Sequence, residues 1–122
     1  MRTMKAVLLW AVVLSLAAIA TQPAGAAPRA QSVGEYRWLW DVALTARAQA
    51  MEGVPVETTR RVITRIFEIP NDRIGAIVAA VIDAAHGIPW TADEAAGEFA
   101  RRIGNACVAN AGDLDGVLGT RL

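Results

Sequence analysis

Residues 54–68, Val-Pro-Val-Glu-Thr-Thr-Arg-Arg-Val-Ile-Thr-Arg-Ile-Phe-Glu, carry the clearest helical period in the chain. At about 3.6 residues per turn, Val56, Thr59, Val62, Ile63, Ile66 and Phe67 fall on one arc. Glu57, Arg61, Thr64, Arg65 and Glu68 take the other. Pro55 suits the first turn, where its missing N–H leaves nothing unpaired and its φ is already helical. An amphipathic helix must lay its apolar arc against another element, so the flanking stretches decide the architecture.

Upstream, Ser32-Val33-Gly34-Glu35 predicts a capping box that starts a helix, and Gly53 predicts its end just after Glu52. The spacing puts Tyr36, Leu39, Trp40, Ala43, Leu44, Ala50 and Met51 on a core-facing stripe. Arg47 falls in the middle of that stripe, and Trp38 on the opposite side beside Asp41, Thr45 and Gln49. Downstream, Asn71 predicts the N-cap of a helix over Asp72–His86, closed by Gly87. Its broad apolar surface (Ile74, Ile77, Val78, Val81, Ile82 and Ala85) predicts a central place. Thr91-Ala92-Asp93-Glu94 predicts a second capping box and a helix reaching about Asn110, with Ala92, Ala95, Ala96, Phe99, Ile103, Ala106 and Cys107 on one arc.

These patterns predict an all-α fold, a small four-helix bundle or an orthogonal helical array over residues 32–111, with loops of two to five residues. No stretch has the alternation of a strand, and no segment repeats. Residues 27–31 are expected to be a flexible N-terminus. Residues 112–122 form a tail expected to dock Leu114, Val117 and Leu118.

Residues 1–26 read as a cleaved signal peptide. Arg2 and Lys5 make a positive start, Ala6–Ala20 an apolar run broken only by Ser15, and Ala24-Gly25-Ala26 a small-x-small cleavage pattern. The run is shorter than the ~20 apolar residues a membrane span needs. The expectation is export by the general secretory route to a bacterial-type periplasm or the exterior, with no membrane span after cleavage.

Past residue 26 the chain has ten Arg and no Lys against twelve Asp and Glu, a formal net charge of −2. Without a basic stripe to neutralise phosphates, nucleic-acid binding is not expected. Cys107 is the single cysteine, so no internal disulfide can form. Its place on the apolar arc favours a packed thiol over a link to a second chain.

Few residues invite chemistry. His86, the single histidine, lies one turn after Asp83, but acid–base work needs a cleft and a further partner. Asp93, Glu94 and Glu98 read as first-turn acids favoured by the helix dipole, not as a metal site or a sugar-hydrolase pair. Arg47 on an apolar stripe must find a partner, for which a carboxylate from another helix is the expectation. Trp38 and Trp90, with Arg47, are the candidate interaction residues. Trp38 is expected to contact a partner or to lie under the tail or the Trp90 loop. Trp40 is expected in the core. Gly97 and Gly104, on the outer side of the fourth helix, fit a close approach by another chain or by the tail, and fit sequence drift equally well.

The expectation for function is a non-catalytic binding or interaction module in the cell envelope, with no cofactor, another protein as partner and homodimerisation as an option. The competing expectation is a small periplasmic hydrolase-like enzyme using His86 with an acidic partner.

Overall fold

Ser32 leaves its backbone extended and its Oγ accepts the Glu35 N–H at 3.1 Å, so the first helix begins where its cap chemistry dictates. The computed structural model describes residues 28–89 and 91–118. The signal-peptide reading of residues 1–26 and the Trp90 side chain therefore lie outside the described residues. Within them the chain is all-helical: α1 Val33–Met51, α2 Val56–Ile66, α3 Asp72–Gly87, α4 Ala96–Ala109 and the short α5 Asp115–Leu118.

The boundaries follow local chemistry at α1, α2 and α3. Gly53 adopts φ +79°, the left-handed conformation that ends α1. Asn71 Oδ1 accepts the Ile74 N–H at 2.9 Å and starts α3. Phe67 turns to an extended conformation, so α2 ends at Ile66, two residues short of the Glu68 to which the sequence pattern runs.

The core is built from Leu39, Val42, Ala43 and Ala46 of α1, Ile63 of α2, Ile74, Ile77 and Val81 of α3, and Phe99, Ile103 and Cys107 of α4. The hub is α1, which packs most extensively on α4, then α3, then α2. The broad apolar surface of α3 does not make it the centre.

The tail docks as expected. Leu114 is buried, and Val117 and Leu118 pack against the core. The N-terminal segment differs from the loose end expected there. Ala30 is 1% exposed and donates its N–H to the Gly112 carbonyl at 3.1 Å, so ordered packing starts before Ser32.

The predicted capping box at Thr91–Glu94 does not form, and α4 starts only at Ala96. The Glu94 carbonyl, which a helix begun at Thr91 would pair with the Glu98 N–H, accepts from Arg47 Nε at 2.9 Å. The Glu94 side chain is turned away to Arg102 at 2.7 Å.

Candidate functional site

Arg47 is fully buried in the apolar interior, 0% exposed. The carboxylate expected for it is absent among the described residues, and its partners are four backbone carbonyls. Nη1 donates to Ala85 at 3.0 Å and to Ile88 at 2.9 Å, Nη2 donates to Pro89 at 3.1 Å, and Nε donates to Glu94. Three of these acceptors lie at the C-terminal end of α3, whose last carbonyls have no intrahelical donor and carry the negative end of the dipole. Gly87 is the last residue of α3 and is not among the left-handed glycines, so this cation from α1 takes the place of a glycine cap. Arg47 is thus sealed within the fold as a cross-chain cap and offers no contact surface.

Trp38 is also engaged internally. Its ring meets Phe67 edge to face, with centroids 5.6 Å apart and planes at 84°. Among the described residues, this cover comes from Phe67 in the α2–α3 connection. Trp38 also walls a shallow 290 Å³ hollow with Glu35, Glu68 and Pro70.

His86 Nε2 lies 2.9 Å from Thr59 Oγ1, whose side chain is fully buried. Asp83 instead pairs with Arg60 at 2.6 Å, so the His–Asp pair conceivable from the sequence is not formed. Burial first, and the nearby Arg60 second, hold the imidazole below its ordinary pKa and favour its neutral form. Glu35 is likewise held below the usual carboxylate range by a two-pronged pair with Arg73, at 2.9 and 2.8 Å.

Both shifts have the same sign for stability. The unfolded chain takes up protons at these groups at a higher pH than the folded chain does, so stability falls as pH drops. The His86 contribution is lost first, below about pH 6.5, and the Glu35 contribution follows below about pH 4.5. Urea unfolding of wild type is expected to show a lower midpoint at pH 5.5 than at pH 7.5, and His86→Gln should flatten that difference. An equal drop in both proteins would show that His86 is not its source.

Cys107 is 0% exposed, and burial pushes its thiol up to about 11. It is a protonated packing residue and no nucleophile at neutral pH. Among the described residues no three His, Cys, Asp or Glu converge as a metal site, and Asp93, Glu94 and Glu98 form no such group.

A groove open to an outside molecule lies between α1 and α4. There α1 supplies Tyr36, Arg37, Trp40 and Asp41, while α4 supplies Gly104, Asn105 and Val108, around a groove of about 610 Å³. Trp40 is half-buried and lies against Gly104, where a Cβ would come within 2.7 Å of its Cε3. The glycine thus lets the indole rest on the α4 backbone, which accounts for one of the two outer-face glycines. Nothing lies within 4 Å of a Cβ at Gly97. Val33 and Val108 rim the groove at 71% and 76% exposure.

Trp40 and Leu44 were both expected in the core stripe. The difference has a physical cause: apolar side chains surround α1, so helical period alone does not fix which side turns inward. Leu39, Val42, Ala43, Ala46 and Ala50 face the interior, while Leu44 and Met51 face out. The one signal for the groove in the sequence was Gly104.

Compared with protein-family models, curated proteins and solved structures, the chain matches none. Fold and site together define an all-α protein with an apolar groove. No described helix is long and apolar enough to cross a membrane.

Proposed function

We propose that this chain is an exported, non-catalytic binding module of the cell envelope, a compact helical array that engages protein through the α1–α4 groove. The observation that carries the reading is the groove itself. A half-buried indole lies on a glycine between two valines that are more than two-thirds exposed. Contiguous apolar surface of this kind marks interaction sites, and a groove between helices suits a third helix.

Export is supported by the leader-like pattern of residues 1–26. The non-catalytic part is supported by His86, which is engaged with a buried hydroxyl, and by Asp83, which is drawn off to Arg60.

Site-specific photo-crosslinking in intact cells tests this reading. A photoreactive residue at Val108 is expected to give discrete protein adducts on a product beginning near Ala27. The same residue at Arg65, on the exposed side of α2, should give none. Retention of the full leader, or equal labelling at both positions, would defeat the proposal.

A further inference from the structure

A helix with apolar residues all around it is normally covered on all sides. The inward face of α1 is covered by α2, α3 and α4. Its outward face carries a second apolar stripe, Val33, Trp40, Leu44 and Met51, at spacings of seven, four and seven residues. Val33 is 71% exposed and Leu44 39%.

Two charges, Arg37 and Asp41, lie in the same face one helical turn apart, and both are exposed. Neither takes part in any of the ion pairs among the described residues, though Arg29, Arg60, Arg73 and Arg102 all do. A cation and an anion spaced by one turn along an otherwise apolar stripe are self-complementary. When two copies of such a helix lie antiparallel about a two-fold axis, each cation meets the other copy's anion.

The geometry points to a second copy of this chain as the occupant of the groove, docked α1 to α1 in antiparallel register with Arg37 of each copy against Asp41 of the other. The same register sets Leu44 of one copy against Gly34 and Val33 of the other and brings the two Trp40 rings close to the axis. Gly34 is exposed, and a Cβ there would meet nothing nearer than Ser32 Oγ at 3.8 Å, so the position is open to an incoming leucine. This inference rests on the groove being a protein-binding surface and names the protein that fills it.

Charge reversal tests the register through sedimentation equilibrium of the protein as cells release it, with circular dichroism confirming that each variant is folded. Wild type is expected to be dimeric. Arg37→Asp and Asp41→Arg should each weaken self-association by at least about tenfold, because like charges then face each other twice. Mixing the two monomeric variants should restore dimers, since every contact in the mixed pair is again opposite in sign. The double variant Arg37→Asp/Asp41→Arg should recover as well. Monomeric wild type at about 100 μM, single reversals within twofold of wild type, or a mixture that stays monomeric would each overturn the inference. If wild type is monomeric while Val108 still crosslinks to a different protein, self-docking fails and groove binding stands. If Val108 crosslinks to nothing, both fail.

Discussion

Replacing Arg47 with Leu is expected to destabilise the protein by about 3–5 kcal/mol, close to the whole stability of a domain this small. The side chain is 0% exposed and donates to the carbonyls of Ala85, Ile88, Pro89 and Glu94. Leucine fills part of the volume but removes the guanidinium donors from all four carbonyls, of which Pro89 keeps the Ala92 N–H at 2.9 Å. Water can reach Pro89 and Glu94 at the edge, whereas Ala85 is itself 0% exposed and its carbonyl has no such relief. A buried acceptor stripped of its donor costs about 1–3 kcal/mol, and losing the cation at the α3 C-terminus adds a fraction of that. Lysine separates charge from geometry. It restores the cation but not the planar fork that reaches acceptors on both sides, so Arg47→Lys should recover less than half of the loss. Thermal unfolding should show the order wild type, Lys, Leu, with Leu lower than wild type by roughly 20 °C. A Lys variant equal to wild type would mean that charge alone holds the α3–α4 connection, and a Leu variant equal to wild type would remove the capping role entirely.

The same residue marks how far local pattern reaches. The starts of α1 and α3 were legible because a capping oxygen and the N–H that donates to it lie three residues apart, as Ser32 with Glu35 and Asn71 with Ile74. The start of α4 was not, since the Glu94 carbonyl is claimed by a side chain 47 residues away. That Arg47 needed a partner was legible from its place on an apolar stripe. That the partner would be backbone was not, because every residue has a carbonyl and only the fold selects which four converge. The groove was half legible. Gly104 signalled a close approach, but the indole that fills it belonged to a helix whose apolar residues lie on every side, so its inward face had to be set by packing. Trp38 is the converse case: it is covered by Phe67, which leaves α2 at the point where the sequence pattern still reads as helix.

The second large effect is expected at Gly112, where Gly112→Ala should destabilise by about 3 kcal/mol and free the N-terminal segment. Helix α4 ends in a paired left-handed turn. Ala111 has φ +52°, Gly112 has φ +84°, and the Gly112 N–H returns to the Cys107 carbonyl at 2.8 Å. The left-handed conformation alone costs an alanine about 1–2 kcal/mol relative to glycine. The remainder comes from outside the turn, because a Cβ at Gly112 would run into the carbonyl oxygen of Ala30. Relieving that collision requires Ala30 to move, which breaks its hydrogen bond to Gly112 and exposes a buried side chain. Arg29 is displaced with it, and its contacts with Asp113 and, through its carbonyl, with Arg73 go too. Limited trypsin digestion followed by mass measurement should therefore show the Arg29–Ala30 bond protected in wild type and cut rapidly in Gly112→Ala, alongside a lower urea midpoint. Ala111→Gly, one residue earlier, should act in the opposite direction by up to about 1 kcal/mol, since the strain at φ +52° is removed and no collision is introduced. Should Gly112→Ala keep the bond protected and the midpoint unchanged, the N-terminal segment would not be anchored at this turn, and Ala30 would owe its burial to something other than the close approach at Gly112.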